Sequence, residues 1–560
     1  MSTFYAAIAP FLLQISEFIL VIAVGGLIFF SLRRGSTSSE SFDRLQCAFS
    51  RLARRRNLSI LVVGLLVLAT RAALVPVLGV PAPRWNDEYS YLLAADTFAH
   101  GRLTNPTHPM WIHFESFHII EHPTYMSMYP PAQGMVLALG EVLGCPWIGQ
   151  LLITALMCSA LCWMLQGRLP AGWALFGALL AVLRLGILSY WMNTYWCASV
   201  AALGGALVFG AWIRLQKDPR TRYGVLLGLG LIILANSRPY EGFILSLPVA
   251  VAMLHWLLKK KSGSLAWRVV LPIILVLGAG AAATGYYYWR VTGSPFQLTY
   301  EVNRRTYATA PYFLWETPRP EPSYHHVVMR DFYRWELARF VEYRTLGGAI
   351  RRNLDKLYSL WQFYLGPLLT VPLIALPRVL RDRRMRFPLL AGAFFAVGLA
   401  VQTWTMPHYV SPATCLIYLV LLQCMRHIRL FRWKARAVGF EMVRAIPVIA
   451  CAMIVLRVGA AAAHVHIESE WPRGNLDRVR IIRQLDAMPG DHLVIVRYGP
   501  HHDADREWVY NAADIDGSPI VWARDMGEKE NEELRRYFHT RSAWVINGDV
   551  SPPQLRPYCD

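Results

Sequence analysis

Apolar stretches of about 20 residues, the length a helix needs to cross a bilayer, recur along this chain and are separated by short loops rich in arginine and lysine. Twelve such stretches are expected to span: 11–31, 58–80, 147–166, 172–190, 195–213, 223–238, 243–258, 268–289, 356–377, 387–404, 409–425 and 445–463. The stretch 132–143 is apolar but too short and carries Glu141, so it is expected to lie in the interface. Basic clusters such as Arg51/Arg54/Arg55/Arg56, Arg214/Lys217/Arg220/Arg222, Lys259/Lys260/Lys261 and Arg381/Arg383/Arg384/Arg386 fall in alternate loops. Cytoplasmic loops carry this excess, so every cluster maps to one side and both termini map to the other.

Composition agrees. The chain is 55% hydrophobic and only 17% charged, against about 25% charged in soluble domains, and its mean hydropathy is +0.31. A net charge of +19 would ordinarily raise nucleic acid as a partner. Its confinement to short loops between spans makes it an orientation signal and excludes that partner. The nine cysteines, Cys145 and Cys559 among them, lie mostly inside apolar stretches and show neither zinc spacing nor a disulfide framework. The N-terminus has no basic n-region, and its apolar stretch runs to full span length, so a cleavable signal peptide is not expected.

Beyond residue 463 the character changes. HLVIVRYG (492–499), SPIVWARD (518–525) and SAWVING (542–548) read as strands, EKENEELRRYF (528–538) as a helix, and Asn475 as a helix cap. Strands alternating with helices predict a small α/β domain. The expected fold is a polytopic α-helical membrane protein of about twelve transmembrane helices with a small C-terminal α/β exoplasmic domain. Residues 1–463 form the membrane part, with exoplasmic loops 81–131 and 290–355, and 464–560 form the domain. The expected location is the plasma (inner) membrane.

Three polar segments map to the outer face. Asp87 and Glu88 follow the second span, among Trp85, Tyr89 and Tyr91. Carboxylates avoid such a position unless solvated or used. One can take a proton as general base; the other can orient it, raise its pKa or hold a divalent cation. The plain alternative is a helix N-terminus, where acids suit the macrodipole. Asn236-Ser237-Arg238-Pro239-Tyr240-Glu241 places a guanidinium at headgroup level, fit to bind a phosphate or to snorkel beside Glu241. Met406-Pro407-His408-Tyr409 sits in a short outer turn, where His408 can donate to an oxygen or Tyr409 can belong to an aromatic belt. Arg304 and Arg305, in the long outer loop, can clasp an anionic headgroup or pack across the face. His118-Ile-Ile-Glu121-His122 matches a zinc-protease pattern, but that pattern needs a helix, and Pro123 follows at once. His501-His502-Asp503-Ala504-Asp505 reads as a solvated loop, with metal binding as the alternative.

The ordered set of Asp87-Glu88, Tyr91, the stretch AADTFAHGRLTNP (94–106), Tyr129-Pro130-Pro131, the short helix and the following span resembles the GT-C superfamily of membrane glycosyltransferases. The likeness is greatest to the protein O-mannosyltransferases and lipid A aminoarabinose transferases (glycosyltransferase family 39-like). It covers residues 58–215 well and the later spans loosely. The basic residue often found before the Pro-Pro pair is absent; Met128-Tyr129 stands there. The resemblance implies transfer of a sugar from a polyprenyl-phosphate donor to an acceptor hydroxyl on the exoplasmic side, with inversion, for cell-envelope glycan, glycolipid or glycoprotein synthesis. Asp87 would be the general base with Glu88 beside it. Tyr91, which fits the motif, would contact substrate; Arg238, Glu241, Arg304, Arg305, His408 and Tyr409 are offered as substrate contacts on their position, not on a motif match. No cofactor is called for beyond the possible divalent metal, and the acceptor is left as lipid, glycan or protein. A flippase or transporter for lipid-linked sugars, or a non-catalytic envelope assembly protein, is the alternative. A transporter usually shows repeated halves and broken midplane helices, and neither is visible in the sequence.

Overall fold

The computed structural model describes residues 2–34, 40–260, 265–434, 436–465, 467, 474–500 and 502–558. Lys261, His501 and Cys559, singled out above, lie outside the described residues. Among the described residues, eight helices are long and apolar enough to cross a membrane, from Phe11–Phe30 to Val438–Ala462. The chain is a mostly helical, multi-pass membrane protein.

The other four segments expected to span are apolar helices that stop short. Ala171–Gly186 and Thr221–Ala235 are two of them; Arg386–Ala400 and Thr414–Ile428 have 15 residues each. Fifteen residues rise about 22 Å, less than the hydrocarbon thickness of about 30 Å. Each gives up its turns at one end to backbone that is not α-helical, at 187–197, 236–238 or 401–413. Irregular backbone at such a depth must be satisfied by protein, and here it is. Asn193 Nδ2 donates to the Ile187 and Ser189 carbonyls at 3.2 and 2.9 Å, and Arg71 holds it there with Nε and Nη2 at 3.2 and 3.0 Å from Oδ1. Trp147 Nε1 donates to the Met192 carbonyl at 2.9 Å, and Gln133 Nε2 to that of Tyr195 at 2.7 Å.

The outer segment after the second span forms the helix Asn86–Ala99 and then a hairpin of strands β1 (Ile119–Ile120) and β2 (Met126–Ser127). Helix Pro131–Val142 follows, with Pro131 at its first turn, where the missing N–H costs nothing. It packs against Asn86–Ala99 and Pro146–Arg168 and leaves Met135, Leu139 and Val142 exposed, as an interfacial helix should.

The C-terminal region contains β3 (His492–Arg497), β4 (Ile520–Arg524), β5 (Ser542–Asn547) and β6 (Arg556–Pro557) in one sheet of order β4-β3-β5-β6. β3 is parallel to β4 and to β5, and β6 is antiparallel to β5. Its core is not separate from the outer segment. Leu493, Ile495, Tyr510 and Val521 pack in one cluster with Tyr89, Leu93, Phe114 and Tyr125. Tyr510 stacks on Tyr89 at 4.2 Å, and its hydroxyl donates to Asn86 Oδ1 at 2.9 Å.

Candidate active site

The helix Asn86–Ala99 begins with Trp85 as N-cap, so Asp87 and Glu88 occupy its first turn. Successive helical residues point about 100° apart, and the two carboxylates part company. Glu88 is buried and accepts from the backbone N–H of Arg84 at 3.3 Å, of Trp85 at 3.2 Å and of Tyr195 at 3.2 Å. It caps the helix and ties it to the 187–197 segment. Asp87 instead turns away from the backbone and stays partly open, its side chain 27% exposed. Its Oδ1 lies 2.7 Å from His118 Nδ1 and accepts a hydrogen bond from the Tyr129 hydroxyl. Burial pushes the Asp87 carboxyl up, but His118 and the hydrogen bonds from His118 and Tyr129 outweigh it and hold it at about 2.

The hairpin explains how His118 and Tyr129 meet. They flank β1 and β2 at the same end, and the Met128 N–H donates to the His118 carbonyl at 3.1 Å. His118 has φ +60°, a left-handed conformation that is uncommon for a side-chain-bearing residue and concentrates at functional sites. Ser90, one turn beyond Asp87, holds it there by donating to the same carbonyl at 2.7 Å. The zinc-protease pattern does not form, because β1 replaces the helix it requires and His122 instead packs edge-on to Trp111 at 4.6 Å.

The other wall is built by two turns. After Thr221–Ala235, Pro239 starts a new helix and leaves Arg238 between the two. Arg238 is buried, its Cζ lies 4.1 Å above the Tyr409 ring, and its Nε has no hydrogen-bond partner. His408 is buried against Trp196 at 4.3 Å, with Nδ1 3.2 Å from the Tyr190 hydroxyl. Burial and the Arg238 charge push its imidazole well below the ordinary range, so it is neutral near pH 7. Asp87 interacts electrostatically with both His408 and Tyr409. Tyr91 stacks on Tyr129 at 4.4 Å, its hydroxyl unpartnered. Glu241 is buried, accepts from Gln402 Nε2 at 3.2 Å and interacts with Arg238. An apolar groove of about 790 Å³ runs beside this wall, lined by Leu231, Ile232, Ala235, Asn236, Gly280 and Phe296 among others.

The structure therefore brings Asp87, Tyr91, Arg238, Glu241, His408 and Tyr409 together. Three sequence candidates do not join them as free groups. Glu88 is turned to backbone. Arg304 Nη1 is locked on Glu336 at 2.7 and 2.8 Å. Arg305 is exposed and paired with Glu301. Sequence reasoning passed over His118 and Tyr129 as parts of the reactive constellation. The missing basic residue before the Pro-Pro pair was the signal for Tyr129. As a cation site, Asp87 has His118 at hand but not Glu88. Among the described residues, the His/carboxylate group with metal-ligand spacing is Asp96, His100 and Glu141, of which Asp96 lies about 13 Å further along the helix that bears Asp87.

No family model matches the sequence, and no curated protein matches it. Solved structures similar to it include ArnT from Cupriavidus metallidurans bound to undecaprenyl phosphate. That chain is 12% identical, with a TM-score of 0.48 over 91% of this chain and 93% of that one. The Archaeoglobus fulgidus oligosaccharyltransferase tethered with an acceptor peptide is 13% identical, with a TM-score of 0.44 over 87% of this chain and 68% of that one. The Archaeoglobus fulgidus oligosaccharyltransferase AglB in complex with an inhibitory peptide and a dolichol-phosphate is 13% identical, with a TM-score of 0.43 over 88% and 69%. At that level of likeness, what the site does has to come from its own side chains.

Proposed function

We propose that the protein is a membrane glycosyltransferase that moves a sugar from a polyprenyl-phosphate donor to an acceptor hydroxyl at the outer face of the membrane. One observation carries the reading: an ionised, doubly held Asp87 and the buried Arg238 guanidinium, whose Nε lacks a partner, both act on the His408–Tyr409 turn. A carboxylate and a cation with a donor to spare are what the two ends of such a reaction require. The apolar groove beside Arg238 suits the donor's hydrocarbon tail, and Arg238 its phosphate.

The acceptor hydroxyl gives its proton to Asp87 as its oxygen bonds to the anomeric carbon. The bond from that carbon to the phosphate oxygen breaks, and the electron pair leaves with the polyprenyl phosphate. Attack from the face opposite the phosphate inverts the centre. A carboxyl held at about 2 is a weak base, so it accepts the proton late, when the attacking hydroxyl has become acidic. Arg238 pairs with the charge that grows on the leaving phosphate. Neutral His408 can donate a hydrogen bond to the same oxygens.

A second reading has its own observation. Asp87 meets His118 through Nδ1, the geometry in which a carboxylate orients an imidazole and leaves Nε2 to act as base. Transfer from a radiolabelled polyprenyl-phosphate sugar separates the two. With Asp87 as base, Asp87→Asn loses about 10³-fold or more and His118→Gln about 10–100-fold. Equal losses would move the base to His118. Full activity in Asp87→Asn would end both.

A further inference from the structure

We propose that the crevice between the carboxyl edge of the C-terminal sheet and the helix Val327–Tyr343 is the acceptor site, and that the acceptor it takes is a neutral oligosaccharide. Its place in the reaction rests on the transferase reading above; its chemistry rests on its own residues.

The location follows from topology. β3 is central, the chain runs first to β4 on one side, and it then crosses to β5 on the other. Ligands of open α/β sheets bind outside the carboxyl ends of the parallel strands, and the loops leaving β3 and β4 line the crevice here. Asp549, after β5, fastens the loop after β3. It accepts from the Gly499 N–H at 2.6 Å and lies 2.6 Å from His502 Nδ1. The cavity at this edge measures about 990 Å³, the top of the range for small-ligand sites, and so suits an oligomer better than a single sugar.

Two buried polar groups in its wall wait for a partner. The His502 side chain is 1% exposed and its Nε2 is unpartnered. Arg524, at the end of β4, spends Nε on the Glu115 carbonyl and Nη2 on Glu507, and leaves Nη1 unpartnered. Asp503 and Asp505 add acceptor oxygens, and Phe332 and Trp335 add aromatic faces. A ligand that donates and accepts at every position and has an apolar C–H face satisfies all of these, and a sugar ring does so through its hydroxyls. Phosphorylated ligands fit poorly. The Arg524 charge is already matched by Glu507, and the aspartates repel anions. A peptide adding to the β4 edge is blocked near its middle, where Asn511 occupies both the N–H and the carbonyl of Trp522 at 2.8 and 2.9 Å.

The crevice also leads to the base. The Phe332 ring lies 6.1 Å from that of His118. Asp505 interacts with the charges of Asp503, Arg84, Asp87 and His118. A saccharide lying against Phe332 and Trp335 therefore has a terminal hydroxyl within reach of Asp87.

The test uses full-length protein in nanodiscs on a printed array of neutral, acidic and phosphorylated oligosaccharides of four to eight residues, with a Ser/Thr-rich peptide alongside. The best saccharide is then titrated by calorimetry. Neutral saccharides are expected to bind. Trp335→Ala and Asp505→Asn should each weaken them at least tenfold without lowering the melting temperature. If Trp335→Ala fails to fold, Asp505→Asn alone decides. No saccharide binding, equal binding by the variants, or binding only of acidic, phosphorylated or peptide ligands overturns the proposal. The titration needs no donor. A protein that binds saccharide but never consumes polyprenyl-phosphate sugar would therefore count against the Asp87 reading and not against the crevice.

Discussion

At the scale of residues, the site is a set of side chains held ready by others. Asp87 is fixed from two directions, by His118 and Tyr129. Its depressed pKa contributes stability that is complete above the ordinary carboxylate value and is lost as pH falls through about 2. Asp87 therefore stays ionised throughout the pH range in which a membrane enzyme is assayed. Asp505 behaves in the opposite sense. Burial and the neighbouring Asp503 raise it to about 6, against the weaker pull of Arg84 and His118. As pH falls from 7 to 5 it gains a proton and ceases to be a pure acceptor. KM for the acceptor is expected to rise several-fold over that interval, and the limb should vanish in Asp505→Asn. Arg238 is tested by lysine. A lysine keeps the charge but loses the planar fork over Tyr409, so Arg238→Lys should cut kcat for sugar transfer about tenfold or more if the phosphate charge develops in the transition state. An unchanged kcat with raised donor KM would assign Arg238 to ground-state binding alone.

At the scale of elements, the instructive feature is the set of four apolar helices that stop short. Their turns at one end become the 187–197, 236–238 and 401–413 segments, and these carry Tyr195, Arg238 and His408. A sequence shows an apolar block of the right length, and Arg238 and His408 were legible because polar residues at the ends of such blocks stand out. The unwinding itself was not legible, because it depends on partners distant in sequence, such as Arg71 for Asn193 and Gln133 for Tyr195. The same limit hid His118 and Tyr129, which meet only once the hairpin closes. Glu88 misled for a different reason. Adjacent acids suggest a shared task, yet neighbouring positions on a helix face different ways. Arg304 and Arg305 diverge in the same manner. Gly205 tests the element level without touching the site. A Cβ there would run into the Pro412 carbonyl, just beyond the His408 turn. Gly205→Ala is expected to cost about 1–3 kcal/mol by overpacking and to lower transfer at least several-fold. Wild-type activity and melting temperature would show that the 401–413 segment is not braced there.

At the scale of the molecule, the groups of the proposed site gather where the helices end and the sheet begins. Twelve apolar segments were legible from their lengths, although among the described residues eight form helices of spanning length. The basic loops predict that Asp87 and the C-terminal region share the outer side. Their contacts through Tyr510 and Asn86 require the same side for both. Alkaline phosphatase fused after Asp560 should be active, and a cytoplasm-dependent reporter at the same place should not; the reverse would overturn the orientation. The Tyr510–Asn86 bond also has a consequence in time. The helix bearing Asp87 leaves the ribosome early, while Tyr510 follows 424 residues after Asn86, about 20–85 s at the usual pace of synthesis. Until then Tyr89 and Asn86 lack the Tyr510 ring and hydroxyl that meet them in the finished fold. The packing around the helix that bears Asp87 is thus completed among the last events of biogenesis, and a chain released early carries that helix without the Tyr510 contacts at Tyr89 and Asn86.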